Sequence, residues 1–325
     1  MSVPVMIFPT IIGTDLSFLD EFGDQIEILD ADRGSAEVDA FLARAEVALL
    51  GSVPHIVAAR APRLRWVHHP HAGVSNFLRS DLWTSDILLT STRGDVGATA
   101  IAEYAIAGVF FFARGLDTAV EEKHAGRFTR SGYAMTTLRG ATLGIVGLGG
   151  IGREVARIGV GVGLRVVATR RSITAPDQDV DGVDVVLPAA ELHTLLGESD
   201  YVVLCSQLTE ETRGMFDTAA FAAMKAGAVF VNIARGEEVD EDALVSALQS
   251  GHLRGALLDV HAGEPDSRPP HPGLLETPNV VLTPHISALG DPDLGAGARQ
   301  LFVENLRRYL RGVPLQNVVD RARGY

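Results

Sequence analysis

The sequence is poor in the residues that build disulfides and thiolate metal sites. Cys205 is the single cysteine among 325 residues, which excludes an internal disulfide and a cysteine-rich metal centre. Low-complexity tracts are lacking as well. The first residues, MSVPVMIFPTII, have neither the basic start nor the apolar length of a signal peptide or a membrane span. We therefore expect a cytoplasmic protein with no membrane partner.

Positive charge is also scarce. The chain has 28 Lys and Arg against 41 Asp and Glu, which gives a formal net charge of −13. This surplus of acids repels nucleic acid and anionic membrane surfaces, so we expect neither as a partner. An anionic small molecule must then be bound by local arginines, of which Arg170, Arg171 and Arg235 are candidates.

Glycine is abundant, with 34 residues, and one glycine-rich turn has a specific context. Between residues 142 and 172 a short apolar strand, the turn, an amphipathic helix and a second strand follow one another. A GxGxxG turn in this βαβ context predicts a dinucleotide site, because its backbone approaches a pyrophosphate closely and the helix N-terminus offers unpaired N–H groups. The residues predicted to bind the dinucleotide here are Gly147, Gly149, Gly150, Ile151 and Gly152.

The end of the second strand bears on the choice of nicotinamide cofactor. NAD sites place an acidic residue there for the ribose hydroxyls, whereas this chain has Thr169, Arg170, Arg171 and Ser172. Two guanidinium groups and two hydroxyls suit a 2′-phosphate, so the sequence favours NADP(H) and leaves NAD(H) as a possible cofactor. The alternative interpretation is a solvated basic turn.

Short apolar strands alternate with helical stretches along the chain, as is typical of parallel α/β domains. We predict an α/β fold of two Rossmann-like, doubly wound parallel-sheet domains with a cleft between them. The dinucleotide-binding domain, 100–285, is predicted to be inserted into a flavodoxin-like substrate domain formed by 1–99 and 286–325.

A long apolar helix is predicted from Ala98 to about Leu116, with apolar residues at helical spacing. Its length suggests that it also packs against a second subunit. The stretch 123–139 that follows is predicted to have little regular structure.

Three histidines, His68, His69 and His71, lie within four residues and raise the alternative of a metal site. However, Pro70 interrupts any helical or strand face, and no carboxylate or thiol lies close in sequence. We therefore predict no metal. A loop that turns its backbone N–H groups towards a ligand at Ala72–Gly73 is the favoured interpretation.

Three polar residues follow apolar strands in the second half of the chain, where α/β proteins form their sites. Arg235 is consistent with an anion clamp or with a salt bridge at the rim. Glu264 taken alone is consistent with a solvated loop acid, and His285 with a buried histidine whose hydrogen bonds are satisfied. Position and residue type leave these alternatives open.

Four motifs resemble those of the D-isomer-specific 2-hydroxyacid dehydrogenases over nearly the whole chain. They are GLGGIG, NIARGEEVDEDAL, GALLDVHAGEP and LTPHISA. The turn Arg170-Arg171-Ser172 resembles in particular the glyoxylate/hydroxypyruvate reductase branch. The resemblance implies that Arg235 binds the substrate carboxylate, that Glu264 orients His285, and that His285 is the general acid/base. It further implies a homodimer.

The same resemblance assigns further residues to the cofactor and the substrate. Asp259 matches an acid near the nicotinamide carboxamide, and the loop after the strand 201–205 lies near the cofactor in the family. The implied cofactor residues are Cys205, Ser206, Thr212, Ile233 and Asp259, and the implied substrate-carboxylate loop is Ala72, Gly73 and Val74.

The expected function is NADPH-dependent reduction of small 2-keto acids to D-2-hydroxy acids, with a histidine as proton donor. The alternatives are a dehydrogenase of a bulkier 2-hydroxy acid or of another small anion with NAD(H), and a nucleotide-sensing regulator without catalysis. The chain departs from the family's usual residues at His71, Ser75–Asn76, Cys205–Thr209 and His261. These departures leave the substrate open.

Overall fold

The structure is a computed structural model that describes residues 2–8, 15–30, 37–180 and 182–324. Residues 9–12 of the N-terminal apolar stretch thus lie outside the described part. The chain divides into two units, one formed by Met1–Val96 and Asp291–Tyr325 and the other by Gly97–Gly290. The domain boundaries expected from the sequence follow residues 99 and 285, whereas the units divide after Val96 and Gly290.

The secondary structure alternates strands and helices along both units. In chain order the strands are β1 (Val3–Ile7), β2 (Ile26–Asp30), β3 (Val47–Leu49), β4 (Trp66–His69), β5 (Leu88–Ser91), β6 (Thr142–Val146), β7 (Arg165–Arg170), β8 (Asp177–Val180), β9 (Val183–Pro188), β10 (Tyr201–Leu204), β11 (Val229–Asn232), β12 (Gly255–Leu258) and β13 (Val280–Leu282). The α-helices are α1 (Glu37–Arg44), α2 (Ala98–Ala113), α3 (Leu116–His124), α4 (Gly150–Gly161), α5 (Leu192–Glu198), α6 (Thr218–Ala223), α7 (Glu241–Gln249), α8 (Pro272–Glu276) and α9 (Pro292–Leu310).

The first unit is built on a parallel sheet in the order β2-β1-β3-β4-β5. Successive residues of β1 point to opposite faces: Met6 joins one buried cluster, whereas Val5 and Ile7 join the other. The second cluster includes Phe302 and Leu306 of α9, so the C-terminal helix covers that face of the sheet. A parallel sheet buried on both faces explains why these strands are apolar without alternation.

The second unit is built on a larger sheet in the order β13-β12-β11-β10-β6-β7-β9-β8. Its strand pairs are parallel except β8 with β9, which is antiparallel. Residues of α2 and α4 contribute to the buried cluster on one face, and residues of α5, α6 and α7 contribute to the cluster on the other. The predicted fold class, with doubly wound parallel sheets in two domains, is therefore confirmed.

Two local features differ from the sequence-based expectation. The helix predicted to reach Leu116 ends at Ala113, because Gly115 takes a left-handed conformation with φ of 64° and a second helix, α3, begins at Leu116. The edge strand β8 was not predicted, since DQDV has the polar composition of a loop.

Among the described residues no single helix is long and apolar enough to cross a membrane. Helices α2 and α3 meet the length and composition criteria only as a pair, and they are bent by 67° relative to each other.

Candidate active site

The glycine turn connects β6 to α4. Gly147 has φ of 103°, which favours glycine, and a β-carbon on it would lie 2.8 Å from Ser206 Cα. A β-carbon on Gly152 would overlap the carbonyl oxygen of Gly147, so the close packing of helix on turn needs glycine there. A β-carbon on Gly149 meets no described atom within 4 Å, so packing does not require this glycine. The turn and the first N–H groups of α4 thus have the geometry that fits a pyrophosphate.

The predicted 2′-phosphate residues lie at the end of β7, directly beside this turn. Leu148 N donates to Thr169 O at 3.0 Å, which fastens the turn to the strand end. Thr169 is buried, Arg170 is the last residue of β7 and partly exposed, and the exposed Arg171 lies 3.6 Å from Glu211 through its Nη1 and the carboxylate Oε2. Ser172 is exposed in the turn that follows.

The loop after β10 packs under the glycine turn. Cys205 Sγ donates to Gly147 O at 3.1 Å, and burial together with the charge of Glu238 raises the pKa of this thiol to about 12, so it remains protonated. Ser206 Oγ donates to Glu238 Oε2. Thr212 Oγ1 donates to Gln207 O at 2.8 Å, a hydrogen bond within the loop that stabilises its conformation. The contacts of this loop with a cofactor stay a prediction.

Asn232, the last residue of β11, and Ile233, which follows it, fix the backbone that leads to Arg235, the predicted anion clamp. Ile233 is buried in the core of the second unit and donates its N–H to Leu204 O at 3.2 Å. Asn232, also buried, accepts from Ala234 N at 2.9 Å and donates to Arg235 O at 3.1 Å. The backbone before and at Arg235 is therefore fixed, and Arg235 Nη1 donates to Ala234 O at 2.6 Å.

Asp259 organises the loop that carries His285. Its Oδ1 accepts from Thr283 Oγ1 and from Ile286 N, each at 2.7 Å, and its Oδ2 accepts from Ser287 N at 2.9 Å. Its backbone O accepts from His285 N at 2.9 Å. Asp259 is 1% exposed, so these contacts form away from water and hold the loop after β13 to the end of β12. Its implied contact with the nicotinamide stays a prediction.

Arg235, Glu264 and His285 are brought together at the carboxyl ends of β11, β12 and β13. His285 Nδ1 is hydrogen-bonded to Glu264 Oε1, and both side chains are partly exposed. Partial burial alone would raise the pKa of Glu264. The hydrogen bond from His285 and the charges of His285, Arg235 and His261 outweigh that effect and hold the pKa below its usual value.

The backbone at His285 is unusual for a residue with a side chain. Its φ is 55°, in the left-handed region. Non-glycine residues in this region are enriched at active sites, where the surrounding contacts hold the strained backbone. The Asp259 contacts described above supply that support.

The predicted substrate-carboxylate loop lies in the first unit, after β4. Val74 is 2% exposed, whereas Ala72 and Gly73 are partly exposed, so the accessible part of this loop is the segment predicted to face a ligand. His71 O accepts from Thr92 N at 3.1 Å, which ties the loop to the residue after β5.

The neighbouring histidines are structural. His68 is fully buried, with Nδ1 at 2.7 Å from Thr90 Oγ1 and Nε2 at 3.2 Å from Thr92 Oγ1. Burial, and to a lesser degree the charge of His69, lowers its pKa to about 3, so the imidazole is neutral. His69 Nδ1 lies 2.7 Å from Leu50 O. Within the described ranges no group of three His, Cys, Asp or Glu side chains has the arrangement of a metal site.

Sequence reasoning missed two features of this region. Glu238 is fully buried beneath the loop after β10, although it reads in sequence as one of several acids in GEEVDED. Tyr104 of α2 is hydrogen-bonded through its hydroxyl to Thr283 Oγ1, and burial raises the pKa of the phenol. Both contacts join residues far apart in sequence, so no local pattern signals them.

Comparison with known proteins places the chain in a family. The model described as "D-isomer specific 2-hydroxyacid dehydrogenase, NAD binding domain" matches residues 106–287. A (S)-sulfolactate dehydrogenase from Chromohalobacter salexigens is 34% identical over 311 residues, which cover 90% of this chain and 97% of that protein. Glyoxylate/hydroxypyruvate reductase B from Klebsiella pneumoniae is 35% identical, over 98% of this chain and 99% of that protein.

A solved structure agrees with both relatives. A D-isomer specific 2-hydroxyacid dehydrogenase from Xanthobacter autotrophicus, crystallised with NADPH and MES, superposes with a TM-score of 0.84 at 30% identity and covers 100% of each chain. As its motifs predicted, the chain belongs to the D-isomer specific 2-hydroxyacid dehydrogenases, a family of nicotinamide-dependent oxidoreductases.

Proposed function

We propose that the chain is an NADPH-dependent reductase of small 2-keto acids, of the glyoxylate and hydroxypyruvate type, that yields D-2-hydroxy acids. The single observation that carries this proposal is the His285–Glu264 pair at the strand ends beside Arg235. A histidine backed by a carboxylate and flanked by an arginine matches a substrate that has a carboxylate next to a carbonyl group. The likeness to a glyoxylate/hydroxypyruvate reductase supports the choice of small acids.

The roles of the chain's own groups follow from their chemistry. When bound, the nicotinamide supplies the hydride that reduces the carbonyl carbon. His285 donates a proton from Nε2 to the carbonyl oxygen, because its Nδ1 is already engaged by Glu264. Glu264 stabilises the imidazolium before that transfer and keeps the ring oriented. Arg235 binds the substrate carboxylate through charge-assisted hydrogen bonds. Ala72–Gly73–Val74 is proposed as a substrate-binding loop of the first unit, through its backbone N–H groups.

The preference for NADPH is assigned to the end of β7 and the turn that follows it. Arg170 and Arg171 supply two cationic groups next to the glycine turn, and Thr169 and Ser172 supply hydroxyls. The similar structure from Xanthobacter autotrophicus holds NADPH, which supports the assignment. NAD(H) remains the alternative cofactor.

The test is oxidation of NADPH and NADH, in parallel, with glyoxylate, hydroxypyruvate, pyruvate and phenylpyruvate. The proposal expects turnover of the two smallest acids with NADPH to exceed turnover with NADH by at least about tenfold. Preference for phenylpyruvate would indicate a bulkier substrate. Tight NADPH binding without turnover of any acid would instead favour a nucleotide-sensing regulator.

A second candidate activity is oxidation or reduction of a 2-hydroxy or 2-keto acid with a second anionic group. The likeness to a (S)-sulfolactate dehydrogenase favours it, and His261 adds a further basic group whose charge acts on Glu264. Sulfopyruvate is therefore the fifth acid in the same assay. A kcat/KM for sulfopyruvate that exceeds the values for glyoxylate and hydroxypyruvate would favour this second activity over the first.

We also propose that the protein is a homodimer. Large apolar side chains are exposed on α2, α3 and the segment after α3, and Phe128 is fully exposed. The segment lies against the α2–α3 junction, because Thr136 N donates to Ala113 O at 2.9 Å and Arg114 Nη1 donates to Thr136 O at 3.0 Å. Exposed apolar surface of this kind marks association sites, and a second copy is the simplest partner. The exposed residues are Phe110, Leu116, Val120, Phe128 and Met135.

A cytoplasmic location is proposed for the active protein, with a small acid as its ligand and neither nucleic acid nor membrane as a partner. One cysteine in 325 residues and a net charge of −13 support this environment. Fractionation of producing cells, with the activity recovered in the soluble cytoplasmic fraction, is the corresponding measurement.

A further inference from the structure

Glu238 is a buried carboxyl group that the roles described above do not use. It lies at the end of the short 3-10 turn Gly236–Glu238, directly after Arg235, and is 0% exposed. Its Oε2 accepts from Ser206 Oγ, whereas its Oε1 is buried with no hydrogen-bond partner among the described residues. A buried carboxylate with one oxygen unsatisfied is costly, so the site favours the neutral acid.

The backbone holds Glu238 in this place. Phe216 N donates to Glu238 O at 3.0 Å, and Gly214 N donates to Glu237 O at 2.9 Å. On the other side Gly236 packs so tightly on the His261–Ala262 peptide that a β-carbon on it would overlap that backbone. The turn therefore cannot swing the Glu238 side chain into water without breaking these contacts.

Two parts of the active site meet at this carboxyl group. Ser206 belongs to the loop that packs under the glycine turn, since a β-carbon on Gly147 would lie 2.9 Å from Ser206 N. Arg235 precedes the turn, and its charge acts on Glu238. Glu238 thus binds a residue of the predicted cofactor loop and is acted on by the charge of the predicted anion clamp.

The ionisation of Glu238 is balanced near neutrality. Burial raises its pKa to about 7, the hydrogen bond from Ser206 and the charge of Arg235 oppose that rise, and the charge of Glu237 adds to it. The Cys205 thiol in the loop after β10 stays protonated, because burial and the charge of Glu238 raise its own pKa to about 12. Among the described residues, Arg235 and Glu237 are the charged groups that act on it.

We propose that Glu238 is a positioning residue that as a neutral acid holds Ser206 and leaves Arg235 to the substrate carboxylate, and that as a carboxylate competes with the substrate for Arg235. The inference rests on the proposed function of Arg235. Under this proposal the affinity for the acid substrate falls as pH rises, because Glu238 ionises, although Glu238 does not touch the substrate.

The test compares Glu238→Gln, which stays neutral and still accepts from Ser206, with Glu238→Leu, which cannot accept. Glu237→Gln is the matched control, because it removes the adjacent charge and leaves the contact with Ser206 in place. Binding of NADPH, and of oxalate to the NADPH-saturated protein, is titrated by calorimetry between about pH 5.5 and about pH 8.5. Oxalate serves as a carboxylate probe that is not reduced. The ratio of its dissociation constants in wild type and variant cancels the effect of other titrating groups that the two proteins share.

The ratio of the oxalate dissociation constants, wild type over Glu238→Gln, is expected to be close to one at the acidic end and to reach about ten at the alkaline end. Glu237→Gln should keep the alkaline loss of oxalate binding, with its midpoint moved to a lower pH because the charge of Glu237 raises the pKa of Glu238. Glu238→Leu should raise the NADPH dissociation constant about tenfold, and Glu238→Gln should leave it within about twofold.

A ratio that does not change with pH overturns the competition for Arg235. Equal NADPH affinity of the Gln and Leu variants overturns the role through Ser206. Both readouts are binding measurements, so they hold even if no 2-keto acid is turned over. Failure of the wild type to bind oxalate, with the two variants still differing in NADPH affinity, would contradict the proposed anion site and support the role of Glu238 at Ser206.

Discussion

The imidazole of His285 is held from two sides. Glu264 binds its Nδ1, and the left-handed backbone at His285 is fixed by the contacts that Asp259 accepts from the same loop. Such support matters for a proton donor, because a misplaced ring loses the transfer even when its charge is right. The charge of the ring therefore depends on Glu264, and its position depends on both Glu264 and Asp259.

Replacing Glu264 with Gln tests the electrostatic part of this support. The amide keeps the size of the side chain but removes the counter-charge of the imidazolium, so reduction should decline at a lower pH than in the wild type. At about pH 8 we expect kcat for glyoxylate to fall about tenfold or more, and the loss to be smaller near about pH 6. The measurement is the pH profile of kcat with saturating NADPH.

Glu276→Gln, on an acidic residue at the end of α8, is the control and should leave the profile unchanged. A Glu264→Gln variant whose profile coincides with that of the wild type would contradict the role of this carboxylate.

His68 makes the first unit sensitive to acid. Its pKa is about 3 in the folded chain against an ordinary 6.5, so between these values the unfolded chain binds more protons and stability falls as pH falls. At about pH 5 the loss from this one group is about 2 kcal/mol relative to neutral pH. His68→Gln should remove much of that loss.

Urea unfolding followed by tryptophan fluorescence measures this effect in the right unit, because Trp66 and Trp83 are the two tryptophans of the chain and both lie there. His55→Gln, on an exposed histidine of the same unit, is the matched control. Equal acid sensitivity of the wild type and His68→Gln would show that the neutral buried imidazole is not the cause.

Among individual residues, the sequence predicts the functional residues that lie in recognisable motifs. It does not predict those whose role depends on contacts with residues distant in sequence. Glu264 and His285 follow from GALLDVHAGEP and LTPHISA, and the structure joins them by a hydrogen bond. The burial of Glu238 and its hydrogen bond to Ser206 could not be predicted from the sequence, because the two residues are 32 positions apart and both have polar neighbours in sequence.

The end of β7, with the turn that follows it, is the segment that decides between the two nicotinamide cofactors in our account. Replacing Arg170 and Arg171 with Ser should raise KM for NADPH about tenfold to about a hundredfold, because charge-assisted hydrogen bonds to a phosphate are lost. KM for NADH should change little, since NADH has no 2′-phosphate. The measurement is KM for both cofactors at saturating glyoxylate.

Arg165→Ser is the matched control, because Arg165 lies at the opposite end of the same strand and forms an ion pair with Glu198 at 2.9 Å. It should leave both KM values unchanged. Equal losses with NADPH and NADH in the double variant would show that the arginines support the turn rather than recognise a phosphate.

Among the elements, those with a strong apolar pattern are predictable and those set by single glycines or by edge pairing are not. The apolar runs of β6 and β10 predict central parallel strands, and both lie in the middle of the sheet. The break between α2 and α3 depends on the left-handed Gly115, and β8 exists through antiparallel pairing with β9. Neither the left-handed glycine nor the edge pairing produces a periodic pattern of apolar residues in the sequence.

At the scale of the whole chain, the division into a split unit and a continuous one agrees with the family model, which matches residues within the continuous unit. The return of the C-terminal helix α9 to the first unit was predictable in outline, because the βα alternation of the second unit is complete before it. The exposure of the apolar residues in α3 and the following segment could not be predicted from the sequence, because it depends on which distant parts of the chain cover each side chain.

The homodimer proposal predicts the mass of the particle in solution. Sedimentation equilibrium should give about twice the chain mass for the wild type, and Val120→Asp together with Phe128→Asp should shift it towards one chain, because two charges would be buried in the interface. Val160→Asp is the matched control, since Val160 on α4 is 47% exposed against 45% for Val120. A monomeric wild type would contradict the proposal.

The central claim, that His285 is the proton donor of an NADPH-dependent 2-keto acid reductase, is tested most directly by turnover of His285→Ala beside the wild type. With glyoxylate and NADPH we predict that kcat falls by about 10² to about 10⁴, while the NADPH dissociation constant changes by less than about threefold. Equal kcat in the two proteins would contradict the account.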